Sequence, residues 1–158
     1  MRIQEKTWVF GDDIDTDQII PTQYLTLPTI KEMAAYTMEP QDRAFATQYQ
    51  PGQILIGGKN FGCGSSREQA PAVLAELGVK IILARSFARI FFRNAINLGI
   101  LLIEIQTLPE VHTGDVLTID TDRSTVDIGG TTHTFVPISG FLKNIIECGG
   151  LVNYLRQE

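Results

Sequence analysis

Thiol and imidazole groups are scarce in this chain: its 158 residues include two cysteines and two histidines. Structural zinc and iron–sulfur sites draw on roughly three or four protein ligands. Cys63 and Cys148 fall short of that set, and His112 and His133 lie in one β-like C-terminal stretch, far in sequence from Cys63. The chain is therefore expected to hold no metal of its own and to keep both cysteines as reduced thiols. Long apolar runs are also missing. None approaches the roughly 18 residues that span a bilayer, and the opening "MRIQEKTWVF" lacks the apolar centre of a signal peptide. A cytoplasmic location is the expectation. Basic charge is not in excess: 13 Lys and Arg stand against 18 Asp and Glu, a net −5. That balance argues against a nucleic-acid surface. Internal repeats and low-complexity segments are absent as well.

What remains is an ordinary soluble globule, 44% hydrophobic and 20% charged. Its length suggests one domain over residues 1–158, large enough to bury a core without staples. "TWVF" (7–10) reads as a strand, and "GDDIDTDQIIP" (11–21) as a loop dense in carboxylates. A helix is predicted over 29–38, stopped by Pro40, and a short apolar strand over 53–58. Helical spacing follows over 68–78 and a buried strand over 79–84. Ser86 is a candidate N-cap for a third helix that ends at Gly99, before a strand over 100–105. Strands alternating with helices imply parallel pairing through right-handed crossovers. Segments 114–120, 124–129 and 132–137 alternate more and read as antiparallel strands, and 140–150 closes with a helix. The expected architecture is α/β, a compact β/β/α arrangement with a mixed sheet.

The chemistry concentrates in "GKNFGCGSSREQAP", Gly58 to Pro71. A P-loop needs Lys followed by Ser or Thr at the end of its glycines, whereas Lys59 comes early and precedes Asn60. A dinucleotide fingerprint needs a small residue where "GCGSSR" places Arg67. A hydrolase serine needs a placed His and a G-x-S-x-G turn, and neither is evident. Ser65 and Glu68 match a capping box, although Pro71 would then lie inside the helix. A later helix start would relieve Pro71 and free the serines. The functional alternative is an anion and proton site. Glycine N–H groups can converge on a ligand beside a helix N-terminus. Arg67 could grip a carboxylate with two parallel hydrogen bonds, and a serine in that field could act as a base without His.

Three ordered stretches, "GDDIDTDQIIPTQYL" (11–25), "GKNFGCGSSREQAP" (58–71) and "SFARIFFRNAINLG" (86–99), resemble the small subunits of 3-isopropylmalate dehydratases. Those subunits are swivel domains of the aconitase superfamily. The resemblance covers roughly residues 7 to 105. It implies a large-subunit partner, as heterodimer or heterotetramer, whose [4Fe–4S] cluster binds the substrate, with no cofactor on this chain. It implies that Ser65 is the catalytic base and that Ser66 bonds the substrate or supports Ser65. Arg67 would bind a substrate carboxylate, and Asp17 would be the active-site carboxylate that orients an Arg. Asp15 and Thr16 would be supports, and Arg89 and Asn94 would hold their helix against the site. Many relatives have His after "SSRE", where this chain has Gln69, which bears on hydrogen bonding near Ser65.

The implied activity is that of a hydro-lyase interconverting 2- and 3-isopropylmalate through isopropylmaleate, in leucine biosynthesis. No Arg or Lys occurs between Asp17 and Ile30. A third substrate carboxylate would lack its cation, a cost in a dry pocket, which disfavours homoaconitase. Leu25, Thr26 and Leu27 instead suit a small alkyl group. Dehydratases of dimethylmalate or of citraconate and methylmalate would share that pocket. A stand-alone dicarboxylate-binding or regulatory module is the non-enzyme alternative.

Overall fold

A computed structural model describes residues 1–157. In chain order the elements are strand β1 (Arg2–Val9), helix α1 (Thr16–Ile19), a 3-10 turn (Thr22–Tyr24), α2 (Ile30–Ala34), α3 (Phe45–Gln48) and β2 (Ile54–Ile56). There follow α4 (Gln69–Glu76), β3 (Ile81–Ala84), α5 (Arg89–Asn97), β4 (Leu101–Glu104), β5 (Val116–Asp120), β6 (Thr125–Ile128), β7 (Thr131–Thr134), α6 (Gly140–Glu147) and α7 (Leu151–Arg156). The seven strands run in the order β4-β3-β2-β1-β5-β6-β7. Strands β1 to β4 pair in parallel, and β5 to β7 pair antiparallel.

β1 belongs to both halves of this sheet. Its residues Arg2 to Lys6 pair with β5, while Thr7 to Val9 pair with β2. The sequence reading began this strand at residue 7. The earlier part, "RIQEK", alternates exposed and half-buried residues, and its polar half hides it from a hydrophobicity search. At the switch point, the buried Thr7 hydroxyl donates to the carbonyls of His112 and Asp115.

Two apolar cores flank the parallel strands. Leu55, Ile82 and Leu102 face Val73, Leu74, Phe91 and Ala95 of the helices. Ile54, Ile56, Ile81, Leu83, Leu101 and Ile103 face the other way, onto Leu117, Ile119, Val126 and Ile128 of the antiparallel strands. Successive strand residues point to opposite faces, so strands buried on both sides read as unbroken apolar runs. The sheet curls over itself, giving the expected layers of helix, parallel sheet and antiparallel sheet. None of the described helices is long and apolar enough to cross a membrane.

Several element ends differ from expectation, each for a local reason. α1 lies inside the segment read as loop; it is too short for hydrophobic periodicity to detect. It carries the capping box of this region: Asp15 accepts from the Gln18 N–H, and the Gln18 side chain accepts from the Asp15 N–H. α4 begins at Gln69 behind Glu68, with no side-chain cap. Ser65 therefore does not cap it, and Pro71 sits in its first turn, where a missing N–H costs nothing. α5 starts behind Ala88 rather than Ser86. The Ser86 hydroxyl instead accepts the Asn60 N–H at 2.7 Å. α2 ends at Ala34, and Met38 adopts a left-handed backbone. The last predicted helix, 140–150, ends at Glu147 as α6, and past Gly149 and Gly150 a further helix, α7, follows that was not expected.

Asp15→Ala removes the capping carboxylate and is expected to cost about 1 kcal/mol. A lower urea midpoint at unchanged slope would show it.

Candidate active site

The glycine loop leaves β2 and is stitched on both edges. On one side Gly58 N–H donates to the Gly11 carbonyl, Gly62 N–H to Ile14 (2.7 Å), and Thr16 N–H to Cys63 (2.9 Å). On the other, Phe61 N–H donates to the Ser86 carbonyl (3.0 Å) and Ala88 N–H to Phe61 (2.9 Å). Asp12 accepts the Lys59 N–H. The loop thus runs as an extra, irregular strand between the acidic segment and the start of α5. Gly62 (φ +85) faces Phe91, and a Cβ there would lie 2.2 Å from the Phe91 ring. Phe91 itself packs edge-on against Phe61, ring centroids 5.4 Å apart.

Beyond Cys63 the backbone turns outward. The N–H groups of Gly64, Ser65, Ser66 and Arg67 have no acceptor among the described residues. Four neighbouring amide donors at one exposed rim are free for an anionic ligand or water. The Ser65 carbonyl accepts from the buried Thr16 hydroxyl at 2.8 Å. Ser65 and Ser66 are exposed, and their hydroxyls bond to nothing among the described residues.

Arg67 is the opposite case. Its guanidinium donates to Asp17 Oδ1 at 2.6 Å, to the Ile20 carbonyl at 3.2 Å and to Thr22 Oγ1 at 3.1 Å. The Thr22 hydroxyl donates in turn to the same Asp17 oxygen at 2.9 Å. Three neighbouring groups therefore fix the plane of the guanidinium, and its remaining N–H groups have no partner among the described residues. The Thr22 hydroxyl bond, then the Arg67 guanidinium, hold the Asp17 carboxyl below the ordinary aspartate value. The turn carrying Thr22 is itself anchored. Tyr24 stacks on Tyr36 at 3.9 Å and donates its hydroxyl to Glu39 at 2.6 Å.

Ser65, Ser66 and Arg67 line a cleft of about 220 Å³, whereas Asp17 and Thr22 stand behind Arg67 and do not line it. One wall is Gly64, Ser65, Ser66 and Arg67, and the other is the first turn of α5 with Asn94. A larger groove of about 670 Å³ follows β4 but holds none of the candidate residues. Leu25, Thr26 and Leu27 do not line the cleft; the leucines are half-buried against the helical core and Thr26 is exposed. Arg89, expected to hold its helix in place, is exposed and makes no hydrogen bond or ion pair among the described residues. Phe91 and the Ala88 N–H do that work. Gln69 opens α4 and forms no side-chain hydrogen bond among the described residues, to Ser65 or otherwise.

The remaining reactive groups do not compete for a catalytic role. Burial pushes the Cys63 thiol up, and the Asp15 and Asp13 carboxylates push it the same way, so it is no thiolate at neutral pH. No group of three or more His, Cys, Asp or Glu among the described residues could hold a metal.

A curled β/β/α domain whose polar rim offers hydroxyls, free amides and a clamped Arg has the architecture of an aconitase C-terminal domain, and that family's model matches residues 10–108. The small subunit of 3-isopropylmalate dehydratase from Lachnospira eligens is 48% identical over 96% of this chain and 93% of its own length. That from Methanosarcina acetivorans is 43% identical, over 98% and 97%. The crystal structure of 3-isopropylmalate dehydratase from Methanocaldococcus jannaschii superposes with a TM-score of 0.92 at 42% identity, covering 99% of this chain and 95% of that one. The chain belongs to the 3-isopropylmalate dehydratase small subunits of the aconitase superfamily. As a small subunit, it has a large-subunit partner.

Sequence reasoning did not find Thr22 or the Ile20 carbonyl. A lone Thr after Pro reads as a turn residue, and only the tertiary fold brings it to Arg67.

Gly62→Ala forces a Cβ into Phe91 from a left-handed backbone and is expected to cost about 2–4 kcal/mol, read by chemical denaturation. Asp17 has a depressed folded-state pKa, so its contribution to stability is present above the ordinary aspartate range. It disappears as pH falls through the folded value. Carbon-detected NMR titration is expected to place the Asp17 midpoint below that of an unstructured Asp, and Thr22→Val should raise it.

Proposed function

We propose that residues 1–158 work as one swivel domain that closes the active site of a cytoplasmic large subunit. The complex would interconvert 2-isopropylmalate and 3-isopropylmalate through isopropylmaleate. The supporting observation is the pairing of a clamped Arg67 with two hydroxyls, Ser65 and Ser66, that have no partner among the described residues, at one cleft. The donor set of this chain does not fit a cluster. In this reading the [4Fe–4S] cluster, and the Lewis-acid chemistry it supplies, lie in the large subunit.

The work of this chain then concerns one proton and one carboxylate. Arg67 binds a substrate carboxylate through the N–H groups left free by its clamp, and Asp17 keeps that guanidinium oriented. Ser65 Oγ, as an alkoxide, takes the proton from the carbon beside that carboxylate. The C–H electron pair forms the double bond as hydroxide leaves the neighbouring carbon. Rehydration in the other orientation returns the proton from Ser65. The free amides of Gly64 to Arg67 and the charge of Arg67 lower the cost of the serine anion. Ser66 supports Ser65 or bonds the substrate. Leu25, Thr26 and Leu27, on the segment after Thr22, carry no cation for a third carboxylate, but they stand outside the cleft and the leucines pack on the core, so the alkyl contact is not assigned to them.

Anaerobic co-expression with the large subunit, followed by assay on isopropylmalate, dimethylmalate, homocitrate and citrate, tests this reading. Isopropylmalate turnover is expected to dominate, and Ser65→Ala should lower kcat about 10²- to 10⁴-fold. Preference for another acid would reassign the substrate. An alanine variant as active as the parent would remove Ser65 from the chemistry.

A further inference from the structure

We propose that the outward stripe of α5, with the groove it forms against α4, is the surface on which the large subunit docks, and that the partner meets it with apolar side chains edged by acidic ones. The assignment rests on the reading above, in which that subunit closes the catalytic cleft. α5 has two faces. Phe91, Ala95 and Ile96 are buried, whereas Ile90 and Leu98 are 51% and 42% exposed. Ile90, Asn94, Asn97 and Leu98 follow the i, i+4, i+7, i+8 spacing of a single helical stripe. The stripe begins in the cleft, which Ile90 and Asn94 line together with Ser65, Ser66 and Arg67. It continues beside Gln69 and Ala72 of α4 and Ile30 of α2, around a groove of about 370 Å³. Asn94 lines both the cleft and the groove, so the catalytic rim and the groove form one surface.

The charges beside this stripe are set against the free helix. Arg89 is the first residue of α5, and Arg93 lies one turn further on. A cation in the first turn opposes the helix dipole, and like charges at this spacing repel. The first turn holds no acid, and neither guanidinium has an ion pair among the described residues. The chain as a whole carries −5, so the two arginines are a local reversal of sign. Acidic groups on a partner would turn both unfavourable effects into attraction. The side-chain amides of Gln69, Asn94 and Asn97 also lack hydrogen-bond partners among the described residues. They suit the polar surround of an interface centred on Ile90 and Leu98. Glu68, on the α4 wall, has the opposite charge to the arginines, so the pattern favours one orientation of the partner. A second copy of this chain is the poorer occupant. Seated on a stripe that begins in the cleft, it would cover Ser65 and Arg67 without completing the site, whereas the large subunit covers them and completes it.

The test measures association apart from turnover. Fluorescently labelled small subunit is titrated with the large subunit, for the parent, Leu98→Asp, Arg93→Glu and a control, Val136→Asp. Val136 is an exposed apolar residue on the separate groove along β4. Leu98→Asp is expected to weaken Kd about 10- to 100-fold, as for an interface anchor. Arg93→Glu should weaken it about tenfold and flatten the salt dependence of the association rate. Val136→Asp should stay within about twofold of the parent. Arg93→Glu removes the like-charge pair, so the free subunit should melt no lower than the parent, which separates lost docking from lost folding. A parental Kd for either α5 variant, an equal loss in Val136→Asp, or no binding of the parent would overturn the proposal. So would self-association of the free subunit that Leu98→Asp abolishes, since that would give the stripe to a second copy. A complex that assembles but is inactive on every alkyl malate would defeat the functional reading instead, and the Kd values would still decide the docking surface.

Discussion

The site depends on one close approach: the backbone of Gly62 lying against the ring of Phe91, with no room for a β-carbon. The carbonyls of Ile14 and Ser86 accept N–H bonds from the two edges of this stretch, and Phe91 closes its underside. A segment rich in glycine would otherwise be the most mobile part of the chain. Here its freedom is used to reach an uncommon backbone path and is then removed by hydrogen bonds on both edges. The serines that follow inherit that rigidity, although they are themselves exposed.

Rigidity and availability are divided between neighbours in the rim. Arg67 is held by a carboxylate, a carbonyl and a hydroxyl, and the Ser65 carbonyl is held by Thr16. The two serine hydroxyls and the amides from Gly64 to Arg67 are left open. Preorganised donors need no reorientation when charge develops beside them, which is where electrostatic stabilisation is most effective. The open side of the cleft fits the character of a small subunit: one chain supplies oriented donors, and a second surface must exclude the water.

Much of the fold was legible because burial on both faces leaves an apolar signature, as in Ile81–Ala84 and Leu101–Glu104. The first half of β1 was not, since its order comes from pairing with β5 more than a hundred residues away. α1 was too short for periodicity, and its capping box surfaced only once the chain was folded. In the site, the glycine density around Ser65 and Arg67 was a local signal. That Asp17 would orient an Arg was expected only through family resemblance, and the fold shows that Arg to be Arg67, because no local pattern joins residues so far apart. Arg89 was read as a helix support, since helical spacing alone cannot tell a buried prop from an unpaired cation at a rim. Leu25 and Leu27 show the same ambiguity in a loop, where an apolar side chain can serve the core or a ligand.

The dual membership of β1 also governs the order in which the molecule can assemble. Its second half finds β2 early, yet its first half waits for a partner that ends at Asp120. At about 5–20 residues per second, a ribosome needs on the order of ten seconds to deliver that partner. The face of the parallel strands that β5 to β7 bury is covered only after β4 ends at Glu104 and the chain from Val116 onward has followed. The C-terminal third of the chain is thus what completes the fold: it supplies both the second partner of β1 and the cover for one face of the parallel strands.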